Sequence, residues 1–319
     1  AEVTPDGIFV YDGGPGIMLQ GIGQPHNADV LVEPPFQTPF YFPSRLLVEC
    51  KCYKRSVDLS IVRGVLGLRD DINRFEVVTE DILKTRRSNA AREQKYYPMK
   101  RYHYQVAIAA MHGFTSAAIP FALAHRIPLI SFGQSSLFRP ICYYIDEMGN
   151  VAKNDRVYGK RILAHFERES RPCPGEDDLL FAFFNCLDKL EKRVQIGLLE
   201  DGTMLFLLRC DHRPSCCIYN DYYDDGYTLH WDNEGKFWYL INGDECYAFE
   251  LPEEMYRAWM LDVAHRRENA INLKVERFGK IVLFGNRKDG HAYGDIIRIL
   301  HLSESFISEA IWRMEEDRR

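Results

Sequence analysis

RLLVECKCYK, Arg45 to Lys54, is the stretch on which the reading of this chain turns. A strand-like apolar run, Leu46-Leu47-Val48, stops at Glu49-Cys50-Lys51, where an acid and a base flank a cysteine. Side chains alternate across a strand, so Arg45, Glu49 and Lys51 share one face, and Val48, Cys50 and Cys52 share the other. The even-numbered face is apolar and is expected to be buried, which makes both cysteines small core residues rather than a thiol site. The odd-numbered face is expected to meet water or a ligand. Acid-x-Lys triplets also occur at Glu93-Gln94-Lys95 and Glu234-Gly235-Lys236. The first lies in a polar basic segment and the second at a hairpin turn, so neither ends an apolar strand.

Working outward, Asp29 in HNADVLVE stands where a turn enters another apolar strand, about twenty residues before Glu49. Adjacent strands would bring Asp29 and Glu49 to one sheet edge. Two carboxylates with the backbone carbonyl of Cys50 make a hard oxygen set suited to Mg²⁺ or Mn²⁺. Lys51 beside such an ion would position a water or stabilise charge developing on a phosphate.

The flanking segments fit a mixed sheet. Ile17 to Gln20 and Ala28 to Val32 read as two short strands turned by GIGQPHN, and the prolines of EPPFQTPFYFPSR exclude a central strand there. Leu59, Val62, Leu66 and Ile72 recur near helical spacing and predict a helix over 58–73. QVAIAAM reads as a buried strand over 105–111, GFTSAAIPFALAHRI as a turn at Gly113 and a helix ending about Arg126, and PLISF as a further strand. The order predicts an α/β domain over 1–140, a mixed sheet flanked by helices. Residues 141–175, with RESRPCPGEDD, read as a linker region. An α+β domain is expected over 176–319: helices near 181–192 and 253–269, strands in RVQIGLLEDGTMLFLLR and YTLHWDNEGKFWYLINGDECYAFEL, a strand near 273–284 and a C-terminal helix.

Asp29 with Glu49-Cys50-Lys51 resembles the PD-(D/E)XK nuclease superfamily, of restriction-endonuclease-like fold. ECKCYK, VRGVLGLRDDI and GFTSAAIPFALAHRIPLISF follow one another in the order found in its Mrr-like restriction branch. The resemblance covers about residues 17–132. It implies that Asp29 and Glu49 are metal ligands, with the Cys50 carbonyl, and that Lys51 is the catalytic lysine. It also implies a Mg²⁺-dependent endonuclease acting on DNA, in restriction or anti-phage defence. A catalytically inactive nuclease-like module that binds nucleic acid or a partner protein is the alternative. Two departures stand out. Ala28 replaces the proline that names the motif, and only about sixteen residues precede the first strand, where the superfamily usually places a helix.

Composition limits the rest. A chain of 319 residues, 46% hydrophobic and 27% charged, is neither disordered nor fibrous. Its net charge of −6 excludes nucleic-acid binding through overall charge, so a local patch is required. Lys84, Arg86, Arg87, Arg92, Lys95, Lys100 and Arg101, interleaved with tyrosines, supply one, and Arg63 on the helix after the triplet is a further phosphate contact. No apolar run approaches the roughly 18 residues of a membrane helix. AEVTPDGIFVYDGG lacks the pattern of a signal peptide, and nine cysteines without regular spacing predict a reducing cytoplasm.

Three minor features complete the pass. His26 is expected to cap a turn. Cys210, His212, Cys216 and Cys217 depart from the paired spacing of zinc sites. YGDIIRILHLSESFISEAIWRM has the rhythm of a helix-turn-helix, but acids on its second helix would repel phosphate, so packing or homo-oligomer contact is expected.

Overall fold

Asp58 ends the loop after RLLVECKCYK and caps the helix that covers it. Its Oδ1 accepts from the Ser60 and Ile61 amides at 3.0 and 3.2 Å, satisfying two amides that a helix start leaves without intrahelical partners. The computed structural model describes residues 3, 10–13, 16–34, 37, 42–74, 102–167, 172, 175, 177–200, 202–212, 214, 225–232, 237–251, 274–289 and 292–316. The first elements are β1 (Val10–Gly13), β2 (Gly16–Gln20), β3 (Pro25–Asn27), β4 (Val30–Val32), β5 (Ser44–Lys51), α1 (Leu59–Arg74), β6 (His103–Ala110), α2 (Ala118–Ala124) and β7 (Leu129–Ser131).

These form a mixed sheet in the order β4-β5-β6-β7, with β4 antiparallel to β5 and the other pairs parallel. Helices α1 and α2 make the crossovers that parallel neighbours need. Val62, Val65 and Ile72 of α1 and Ala118 and Ala122 of α2 bury Leu47, Val106 and Ile108 of the sheet. Asn73 closes the end of α1 onto β6 by bonding both backbone groups of Tyr104, each at 2.8 Å.

The expected pairing before Asp29 is corrected. Gly16–Gln20 turns back onto Pro25–Asn27, and β1-β2-β3 is a separate three-stranded sheet. The turn is fixed by α1: Asp71 accepts from the Gly23 amide at 3.0 Å and pairs with His26 at 2.7 Å. A Cβ at Gly21 would stand 1.9 Å from Asp71 Oδ2, so the turn needs glycine there.

Where a linker was expected, α3 (Arg139–Asn154) and α4 (Arg156–Glu167) pack with α5 (Asp178–Glu191) around Met148, Tyr158, Leu180 and Phe183. Beyond them lie β8 (Val194–Leu199), β9 (Met204–Arg209), β10 (Thr228–Asp232), β11 (Phe237–Asn242), β12 (Glu245–Phe249), β13 (Lys280–Asp289), β14 (Ala292–His301) and α6 (Glu304–Glu316). The strands form a seven-stranded antiparallel half-barrel ordered β10-β11-β12-β9-β8-β13-β14. The expected strand near 273–284 runs instead from Lys280 to Asp289, and the expected helix over 253–269 lies outside the described residues.

The helix-turn-helix expectation is overturned, because its first half is β14. Ile297 and Ile299 are exposed while Leu300 and Leu302 are buried. With Arg298 half-buried and His301 exposed, that is period-two alternation from Ile297 to Leu302, and ten residue pairs tie the strand to β13. β-branched residues at Ile296, Ile297 and Ile299 favour the pleated surface. Only α6 is helical, and it packs Phe306 and Ile307 on the half-barrel core.

The half-barrel covers the face of the mixed sheet opposite α1 and α2. Leu46, Val48, Ala109, Ile130 and Phe132 meet Leu198, Met204 and Phe206 there. Among the described residues no helix is long and apolar enough to cross a membrane.

Candidate active site

The register of β4 on β5 builds the site. Val30 stands opposite Val48 and Leu31 opposite Leu47, so one further step places Asp29 opposite Glu49. β4 starts at Val30, which leaves the Cys50 amide beyond the ladder, and Asp29 Oδ2 accepts from it at 2.8 Å. Lys51 Nζ donates to Glu49 Oε1 on the same strand face, and each of these side chains is 18% exposed. Asp29 is exposed. The three residues singled out in the sequence therefore come together at the C-terminal end of β5.

Burial works against the charge on Lys51, but Glu49, Tyr53 and Asp29 outweigh it and hold the ammonium above its ordinary pKa. Lys51 is thus a cation at neutral pH rather than a base. Burial, with Asp29, Cys52 and Glu49 nearby, pushes the Cys50 thiol up, which makes it a poor nucleophile.

The faces of β5 correct the sequence expectation. Arg45 and Leu47, on the odd-numbered face, are 5% and 0% exposed beneath the helices, whereas Cys50 and Cys52 are exposed. The reason is that both faces of this sheet are covered, one by helices and one by the half-barrel. Only the strand end, where Cys50 and Cys52 lie, runs past the cover.

A divalent cation fits part of this end. Asp29 Oδ1 and Glu49 Oε2 keep no hydrogen-bond partner among the described residues. In an extended strand the N–H and C=O of one residue leave on the same side. The Cys50 carbonyl therefore points to the side of Asp29. Two carboxylate oxygens and a carbonyl are hard donors of the type Mg²⁺ takes. Among the described residues no set of three His, Cys, Asp or Glu side chains gathers, at this strand end or elsewhere, so side chains supply at most two of the ligands here.

The other expected residues lie elsewhere. Arg63 is exposed on α1, with its guanidinium carbon 5.7 Å from the Phe121 ring centroid of α2. Lys84, Arg86, Arg87, Arg92, Lys95, Lys100 and Arg101 lie outside the described residues, as do Cys216 and Cys217. His26 serves the Asp71 clamp.

Sequence reasoning missed two groups. Glu250, just past β12, accepts from Ser135 Oγ at 2.7 Å and Ser136 N at 2.8 Å, tying the loop after β7 to the half-barrel. Like Glu49 it ends an apolar strand, but a partner some 115 positions away leaves no local signal. Cys210 faces Cys246, whose carbonyl accepts from the Cys210 amide at 2.9 Å. A hydrogen bond from the Cys246 thiol holds Cys210 down to about 7. Iodoacetamide labelling of Cys210 should therefore rise through pH 7 in the native protein. In Cys246→Ala the midpoint should move upward, as mass spectrometry of the labelled peptide will read; an unmoved midpoint excludes the pairing as its cause.

No protein-family model, no curated protein and no solved structure matches this chain.

Proposed function

We propose that this protein is a Mg²⁺-dependent endonuclease that hydrolyses phosphodiester bonds in DNA, built on a restriction-endonuclease-like core. The observation that carries the reading is the convergence of Asp29, Glu49 and Lys51 at one strand end. The sheet order β4-β5-β6-β7, with crossover helices after β5 and β6, supports the core assignment. Asp29, Glu49 and the Cys50 carbonyl would hold the cation, which supplies a water of lowered pKa and charge compensation at the phosphate.

The chain's own residues do the rest. The Cys50 amide fixes one oxygen of Asp29 and so sets the direction of the other. Glu49 shares its charge with Lys51 and holds the ammonium at the strand end, where it would bind a non-bridging phosphate oxygen and orient the attacking water. The raised pKa keeps that proton on Lys51 through neutral pH. The basic segment 84–101 would grip the strand through phosphates, and restriction or anti-phage defence is the role we assign. The C-terminal half would recognise a substrate feature, pair with a second copy or bind a partner protein.

One observation favours the second reading, an inactive nuclease-like binding module. Glu49 is already paired with Lys51, and Asp29 already serves the Cys50 amide, so both carboxylates have structural work without a metal. Calorimetry separates the two. The nuclease reading expects a Mn²⁺ or Mg²⁺ site in the wild type that Asp29→Ala loses, with cleavage across plasmid, linear, single-stranded DNA and RNA substrates confined to the metal-bound protein. A wild type with no such site and no cleavage leaves the binding module standing.

A further inference from the structure

The loop after β7 and the outer wall of the half-barrel enclose a cavity of about 460 Å³. That size falls in the roughly 300–1,000 Å³ range of small-molecule sites. Its aromatic wall is supplied by Phe138, Phe206, Trp231 and Phe237, with Leu208 and Ala248 between them. Phe138 and Phe206 already meet edge to face, their centroids 4.8 Å apart, so this side of the wall is braced.

Charge narrows the class of ligand. Among the described residues no Lys, Arg or His lines the cavity, so the described walls offer no counter-charge to a phosphate. Glu250, the carboxylate among the described lining residues, is satisfied by Ser135 and Ser136 and holds the wall rather than waiting for a cation. What remains for recognition is neutral: the Gln134 amide, and Ser131 at the end of β7. The Gln134 amide lies against Gly113, where a Cβ would stand 2.7 Å from its atoms, and the residue is otherwise exposed. An amide offers one donor and one acceptor side by side, the pattern that pairs with the edge of a base. Apolar aromatic walls with a neutral hydrogen-bonding edge suit a flat heteroaromatic ring.

Position sets the cavity apart from the Lys51 site. Lys51 pairs with Ala110 on β6, and Ala110 pairs with Ser131 on β7, so the three share the helix-covered face of the sheet. The half-barrel wall of the cavity, with Met204 and Phe206, covers the other face beside Ile130 of the edge strand β7. A strand serving both would have to pass around the end of the sheet.

We infer that this cavity binds a nucleobase, presented either by a nucleic-acid strand with the base turned out of its stack or by a free nucleoside. The inference rests on the nuclease reading only for the first source. Enzymes that read a single base commonly hold it between aromatic and apolar side chains with hydrogen bonds to its edge.

The test uses the full chain in EDTA, so that no cleavage occurs. Two probes are titrated: free 2-aminopurine riboside, and a single-stranded oligonucleotide carrying one 2-aminopurine. Saturable quenching is expected with at least one. Ala248→Phe, which fills the cavity, should weaken it roughly tenfold or more, the scale of one base–aromatic contact. Gln134→Ala, at an exposed position, should weaken it in the same direction and decides the matter if Ala248→Phe fails to fold by circular dichroism. Quenching by the riboside alone assigns a free nucleoside; quenching by the oligonucleotide alone assigns a strand base. No saturable quenching with either probe overturns the inference, as does quenching unchanged in the folded variants. Cleavage of the same oligonucleotide with Mg²⁺ is scored separately. Quenching retained with no cleavage of this oligonucleotide or of the plasmid, linear and RNA substrates refutes the nuclease reading and leaves the cavity assignment intact.

Discussion

Lys51→Ala should lower Mg²⁺-dependent DNA cleavage by roughly 10²-fold or more, the effect of removing one preorganised charge donor from a reacting centre. Three features of the site set this expectation. Lys51 is the cation held directly against Glu49, it is only 18% exposed, and its pKa is raised rather than lowered. The sign matters. A raised folded pKa means that the pair with Glu49 is fully formed below the ordinary lysine range and is lost only as pH rises through the folded value. The charge is therefore present throughout the neutral range, and a rate increase there should not report loss of the Lys51 proton. On the proposed reading DNA affinity should change far less, because the basic segment 84–101 would make many phosphate contacts and Lys51 only one. Affinity for Mn²⁺ should survive, since the substitution frees Glu49 Oε1 instead of removing a ligand. Single-turnover cleavage, filter binding and calorimetry on one preparation read the three quantities. Wild-type cleavage by Lys51→Ala removes the assignment, whatever the metal titration shows.

The parts of this site that are local in sequence were legible there. Alternation along RLLVECKCYK placed Glu49 and Lys51 on one strand face, and the spacing of Leu59, Val62, Leu66 and Ile72 announced α1 within one residue of each end. Asp29 was legible as a partner because β4 and β5 are consecutive in the chain and neighbours in the sheet. The covering of the strand was not legible. Alternation separates two faces but cannot say which is wetter when each is packed against a different layer. Arg45 consequently went under α1, and Cys50 and Cys52 came to the surface. β14 was misread for a related reason. DIIRILHL offers apolar residues at both periods, and the ten-residue pairing with β13 decides for the strand. The cavity left no trace in the sequence, since its walls come from β7 and the half-barrel, which meet only in the folded chain.

Arg45→Ala should cost about 3 kcal/mol of stability, the lower end of what breaking a buried ion pair costs. Arg45 is 5% exposed although it carries a charge, and three groups explain how it stays there. Nε donates to Glu33 Oε2 at 3.0 Å, Nη1 reaches the Tyr104 hydroxyl at 3.5 Å, and the guanidinium carbon sits 3.4 Å from the Tyr102 ring centroid. Burial alone would lower its pKa, but Tyr104, Glu33 and Tyr102 outweigh it and raise the value, so the charge is permanent at any pH the fold survives. Truncation leaves Glu33 without that partner and opens a space between β5, β6 and the segment after β4. Glu33 retains 30% exposure, so water recovers part of its solvation, which is why the lower end of the range applies. Arg45→Met, which keeps the apolar stem, should lose less, and adding Glu33→Gln to it should recover part of the remainder. Against a typical total of about 5–15 kcal/mol, the alanine change is large enough to read as a clear drop in urea midpoint. A shift below about 1 kcal/mol would place Arg45 among ordinary surface charges. Because Arg45 sits six positions before Lys51 on the same strand, folded Arg45→Ala protein at low temperature should still cleave, which separates loss of the scaffold from loss of the chemistry.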